Sequence, residues 1–113
     1  MYVRIARFEG GTAAHIEEEG SRIRRDIEAA RRGEPGPELP RELTLLAQRI
    51  EMLVDRERGA ATVLVYAETE EQAREIDRIM DGMSPTTEGW GHRVSNEVLE
   101  VFLDESPSLA RAA

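Results

Sequence analysis

One stretch constrains this chain more than any other: residues 59–83, GAATVLVYAETEEQAREIDRIMDGM. Its first half, Ala60 to Ala67, is an apolar run containing Val63, Val65 and Tyr66, and it reads as a buried strand. The second half opens with Thr69 and, three residues later, Gln72. That is the spacing of a capping box, in which the Thr hydroxyl accepts from an orphan amide of the first helical turn and the Gln side chain accepts from the amide of Thr69. Ala73, Ile76, Met80 and Met83 then recur at three- and four-residue steps, one apolar stripe on a helix. A central strand therefore turns directly into an amphipathic helix that lies back on the sheet.

The rest of the chain has to complete a core around this unit. With 113 residues it makes one domain, able to bury roughly two-thirds of its unfolded surface. Tyr2 to Phe8 alternates as a strand, with Met1, Val3 and Ile5 on one side and Tyr2, Arg4, Ala6 and Phe8 on the other. Glu9-Gly10-Gly11 ends it and Thr12 is placed to cap a helix. Ala13, Ile16, Gly20, Ile23, Ile27 and Ala30 follow at helical steps, which predicts a helix over 12–32, stopped by Gly33 and Pro35. Glu17 to Glu19 near its start and Arg31 and Arg32 at its end suit the helix dipole, and the three glutamates read as a solvated face. Gly20, inside the stripe, costs helix stability and permits close packing against a strand or a ligand.

Residues 33–40, GEPGPELP, form a linker. Beyond it the pattern is double: Leu43, Leu46, Ala47, Ile50, Leu53 and Val54 fit a helix, whereas Ile50, Met52 and Val54 alternate with Arg49 and Glu51 as a strand would. The polar connection Asp55 to Gly59, directly before the apolar run, favours the strand, and predicts that 49–55 and 60–67 pair as a hairpin. After the second helix, a last strand carries Val94, Val98 and Phe102 on one side and Leu99, Val101 and Leu103 on the other. The domain spans 1–105, followed by a tail over 106–113.

The order is β-α-β-β-α-β, the ferredoxin-like arrangement of an α+β domain: a four-stranded antiparallel sheet with two helices on one face. Three of its strands nevertheless carry apolar residues on both faces, and helices cover only one. A second copy of the same sheet is the economical cover, so the expected partner is the chain itself in a homodimer.

Composition excludes several classes of function. The net charge of −8 is concentrated in residues 67–113, where 4 Arg face 11 Asp/Glu. Such a surface repels phosphates, so neither nucleic acid nor an anionic membrane is an expected partner. No cysteine or lysine occurs, which removes disulfides, zinc–thiolate sites and lysine-based covalent chemistry. The longest apolar run is too short to span a bilayer, and the first residues read as a strand rather than a secretory leader. A cytoplasmic location is the expectation. No spacing of His, Asp and Glu suggests a metal site and no Gly-rich phosphate loop occurs, so no cofactor is expected.

Several segments together resemble small members of the antibiotic biosynthesis monooxygenase family: MYVRIARFEGG at residue 1, LVDRERG before the central strand, the ETEE helix opening, Met83-Ser-Pro85, the Gly89 to Ser95 segment, and EVLEVFLDE. The resemblance covers nearly the whole domain outside 33–48. It implies a dimeric α/β barrel, made when two ferredoxin-like sheets pack face to face. Members with known chemistry oxidise aromatic polyketides without metal or flavin, or open haem. The haem-opening type carries Asn on the first strand, a helix Trp and a His ligand. Here the first strand has Arg4 and Arg7, Trp90 follows the second helix in a loop, and that helix lacks His, so haem degradation is not implied. The cofactor-free type holds a substrate oxyanion with Asn, Trp and Tyr, residue types present here as Asn96, Trp90 and Tyr66.

The candidate ligand-binding residues are accordingly Arg4, Tyr66, Trp90, His92 and Asn96, around a small aromatic molecule. Each also has a structural reading. Trp90, between two glycines, either moves as a lid or anchors its loop by burying its ring. His92 has the pKa range of a general base but no partner nearby in sequence. Asn96 interrupts an apolar strand face, where a buried amide wants a partner in a ligand, in Arg4 or in a neighbouring strand. Arg4 in a central strand calls for a carboxylate, with Glu97 or Glu100 of the adjacent strand as candidates. Two functions remain: a small-molecule pocket between helices and sheet, with cofactor-free oxidation as the reaction the resemblance implies, and a non-catalytic dimeric interaction module with a filled core.

Overall fold

The computed structural model of the protein describes residues 1–34, 39–83 and 91–107. These form β1 (Tyr2–Gly10), α1 (Ala13–Arg31), α2 (Arg41–Leu46), β2 (Arg49–Asp55), β3 (Ala60–Ala67), α3 (Glu70–Met83) and β4 (Gly91–Glu100). The four strands make one antiparallel sheet in the order β2-β3-β1-β4, an α+β fold.

The central strand behaves as its composition demands. Along β3, Ala61, Val63, Val65 and Ala67 are buried and the alternate residues half-buried. Their cross-strand partners on β1 are Phe8, Ala6, Arg4 and Tyr2, and on β2 Val54, Met52 and Ile50. This face carries the core, into which α1 sends Ile16, α2 Leu43, and α3 Ala73 and Ile76. The opposite face carries Val3 and Ile5, both buried, the half-buried Leu64 and Tyr66, and the exposed Leu53 and Leu99, with no helix of the described residues across it.

Local signals account for most boundaries. The capping box closes as its spacing requires: Gln72 N–H donates to the Thr69 hydroxyl at 3.1 Å and Thr69 N–H to the Gln72 side-chain oxygen at 3.3 Å. Thr12 occupies the cap of α1 but makes no side-chain capping bond. Gly33, at φ +75°, ends α1 in a conformation that costs glycine least. The hairpin over 49–55 and 60–67 forms as expected, with Ile50 opposite Val65 and Met52 opposite Val63.

Four expectations need correction. Among the described residues three helices pack with the sheet rather than two, because residues 41–46 form the short α2 before β2 begins. The last strand stops at Glu100. Val101 still donates to the Met1 carbonyl at 2.9 Å, but Phe102 and Leu103 project into solvent, 93% and 76% exposed. The register of β1 against β4 slips between Arg7 and Phe8, leaving Val94 as the unpaired residue of a bulge and turning Arg93 toward Asp81 of α3. Finally, Glu17 and Glu18 are solvated but Glu19 is buried, with its carboxylate 2.8 Å from Arg22. It stands three residues after Ile16 and four before Ile23, so it shares the flank of their stripe.

Candidate functional site

The helical layer is not closed over the whole sheet. Ile16, near the start of α1, is fully buried, yet Ile23 and Ile27 of the same stripe stay half-exposed, as do Ile50 and Met52 of β2 beneath them. The two apolar surfaces face each other across a cleft of about 700 Å³. Ile23, Ile27, Ile50, Met52, Val54 and Val63 supply its apolar lining. Its polar lining is Glu17, Ser21, Arg24, Glu28 and Arg31 from α1 and Arg56 from the β2–β3 connection. A second cleft of about 440 Å³ shares Ile27, Arg31 and Ile50 with the first and continues toward α2.

Gly20 sets the approach of helix to sheet. A β-carbon there would lie 3.4 Å from the Met52 sulfur, so the bare backbone brings α1 down onto β2 at one point while the stripe beyond stands clear. The glycine is thus both a packing contact and part of the cleft lining.

The residues nominated from sequence do not converge on this cleft, nor on one another as a single set. Arg4 and Asn96 share the helix-facing side of the sheet, opposite Val98 and Ala6 respectively. Tyr66 lies on the other side, opposite Val3 and Arg49. His92 pairs with Glu9 at the far end of β4, where its ring packs over Gly10, Nδ1 being 3.5 Å from where a β-carbon would sit. Trp90 lies outside the described residues. None of Arg4, Tyr66, His92 and Asn96 lines either cleft.

Each has a local account. Arg4, 2% exposed, bonds through Nε to Asp77 of α3 at 3.0 Å and through Nη1 to the Met80 sulfur at 3.5 Å. The carboxylate comes from the helix above and not from Glu97 or Glu100 on the neighbouring strand; Glu97 instead takes Arg7, at 2.6 Å. Asn96 keeps its Oδ1 buried without a hydrogen-bond partner among the described residues. Tyr66 has the Arg49 guanidinium over its ring, 5.7 Å from the centroid. Its phenol is held above the ordinary pKa chiefly by the hydrogen bond to the Glu51 carboxylate, which favours the protonated form. Among the described residues, no three His, Cys, Asp or Glu side chains converge as a metal-ligand set would.

The cleft residues were partly visible in the sequence. Ile23 and Ile27 stand in the α1 stripe and Met52 in the alternation of β2, but as core. In the sequence Arg31 reads only as a favourable charge at the end of the helix and Arg24 carries no signal of its own, although seven residues apart on a helix is about two turns and places them on one flank. Comparison with known proteins adds no identity: no family model, curated protein or solved structure matches the chain.

Proposed function

We propose that this chain is a homodimeric small-molecule-binding protein of the ferredoxin-like, dimeric α/β-barrel kind, each protomer holding a small aromatic molecule between α1 and β2. The observation that carries the reading is the cleft itself: beyond the Gly20–Met52 contact, the apolar stripes of α1 and β2 border an opening of about 700 Å³. Protein interiors ordinarily close such gaps, and the volume falls in the range of ligand pockets. Cofactor-free oxidation, the reaction the family resemblance implies, needs groups gathered around a developing oxyanion. Tyr66 and Asn96 stand on opposite faces of the sheet. Binding without catalysis is therefore the reading proposed.

The test is ligand-observed NMR on a panel of aromatic compounds, with the natural chain and with Gly20→Leu. The added side chain starts beside Met52 and grows into the cleft. Compounds that bind the natural chain should lose binding to the variant; equal binding to both would place them elsewhere and refute the reading.

The dimer is supported by the sheet face opposite the helices, where Leu53 and Leu99 are exposed on either side of the buried Val3 and Ile5. Its charged side chains pair among themselves, Arg49 with Glu51 at 3.0 Å and Arg7 with Glu97 at 2.6 Å, so the net charge of −8 lies largely off this surface. With strands about 4.8 Å apart and about 3.3 Å per residue, the face covers on the order of 500 Å². A standard interface buries about 800 Å² per partner, and the exposed Phe102 and Leu103 beyond β4 extend the surface toward that size. Light scattering behind size exclusion should give the mass of two 12.7 kDa chains, and Leu64→Asp should give one. A single-chain mass for the natural protein would remove the dimer. The same face favours a second reading, a dimeric interaction module without ligand, which is the outcome if no aromatic compound enters the cleft.

A further inference from the structure

The polar lining of the cleft has a sign. On α1, Glu17, Ser21, Arg24, Glu28 and Arg31 follow at steps of three and four residues along the flank that borders the opening. Glu17 is engaged by Arg56 at 2.9 Å, which closes one end. At the other end neither Arg24 nor Arg31 pairs with a carboxylate among the described residues. Arg31 stands where the two clefts meet, above Ile27 and Ile50, and the described lining of the adjoining cleft includes Arg49 but no acidic side chain. A chain of net charge −8 thus gathers three Arg against two Glu around this opening.

We propose that the cleft takes an aromatic monocarboxylate, its rings lying between Ile23 and Ile27 of α1 and Ile50 and Met52 of β2, its carboxylate held by Arg31 with Arg24. This rests on the small-molecule reading above and names the ligand's chemistry. A guanidinium presents paired N–H donors that match the two oxygens of a carboxylate, and it gains more from an ionised partner than from a neutral one. Glu28 lies on the same flank, four residues after Arg24 and three before Arg31, so a second negative charge on the ligand would meet it; one charge fits and two do not. The Met52 thioether, on the floor, offers a ring a polarisable contact that an aliphatic chain uses less well.

Calorimetric titrations with 2-naphthoate, its neutral isostere 2-naphthamide, and decanoate test this, with isoleucine-methyl NMR reporting the location. The expected result is that 2-naphthoate binds about tenfold more tightly than 2-naphthamide, since a charge-assisted contact is worth about one decade. Arg24→Gln/Arg31→Gln should remove that advantage and bring the two naphthyl probes to the same affinity; both side chains are exposed, so the variant keeps its packing. Equal affinities for the two naphthyl probes, with Ile23, Ile27 and Ile50 methyls shifting, would overturn the anion preference and leave the cleft reading standing. Decanoate binding as tightly as 2-naphthoate would overturn the aromatic part. If none of the three probes binds or moves those methyls, the cleft reading falls as well.

Discussion

Arg4 tests whether the odd charge in the central strand is structural. It is 2% exposed, and the only carboxylate within bonding distance among the described residues is Asp77, at 3.0 Å, whose own side chain is 33% exposed. Breaking a fully buried ion pair by removing one partner costs about 3–5 kcal/mol, because the surviving charge stays in a poor solvent. Here water already reaches one side of Asp77, so for Asp77→Ala we expect about 2–3 kcal/mol. The reverse change is not equivalent. Arg4→Met keeps the volume in the core and leaves Asp77 beside water, so its cost should be below about 1.5 kcal/mol. Urea unfolding of both variants and of the double mutant gives the three values and the coupling between them. In a thermal scan Asp77→Ala should lower Tm by roughly 10 °C, at about 4 °C per kcal/mol for a domain of this size. A loss under about 0.5 kcal/mol for Asp77→Ala would refute the reasoning. It would mean that the guanidinium finds water or another anion, and a binding role for Arg4 would return.

Three further outcomes follow from single contacts. Gly59→Ala places a β-carbon 2.0 Å from the Gly11 carbonyl oxygen at φ +65°, where the Gly11 amide bonds the Gly59 carbonyl at 3.0 Å; about 3 kcal/mol of destabilisation is expected in denaturant unfolding, and a neutral result would contradict the turn geometry. Asn96→Leu removes a buried carbonyl with no partner among the described residues and should stabilise by about 1 kcal/mol; a loss of stability would show that Oδ1 is engaged in solution. The Tyr66 phenol should titrate above the ordinary tyrosine value because Glu51 favours its protonated form. With the folded value raised, its contribution to stability is complete below the unfolded pKa and is lost as pH rises through the folded one. Ultraviolet titration of Glu51→Gln should move the phenol back down, and no movement would remove Glu51 as the cause.

Local chemistry is what made the fold readable. The Thr69–Gln72 box, the Gly33 stop and the polar Asp55–Gly59 connection each act within a few residues, and each appears where its spacing placed it. The misses have longer-range or subtler causes. Six residues of α2 make less than two turns, too few for a period to show. Phe102 and Leu103 continue the alternation of β4 in sequence, but strand formation needs a neighbour, and pairing ends with Val101. Asp77 is 73 residues from Arg4, so no local rule could nominate it over the nearer glutamates of β4. Glu19 was legible, since its offset from Ile16 and Ile23 already put it on their flank. The cleft was not. Periodicity shows that α1 and β2 both have apolar faces but says nothing of the distance between them, and the gap that makes a site looks in sequence like ordinary core.

The central claim is that a small aromatic molecule lies between α1 and β2. Intermolecular nuclear Overhauser effects between bound 2-naphthoate and isoleucine and methionine methyl groups test it most directly. Contacts to Ile23, Ile27, Ile50 and Met52 are expected. Contacts to Val3, Ile5 and Leu64 on the opposite face of the sheet, or none at saturating probe, would contradict it.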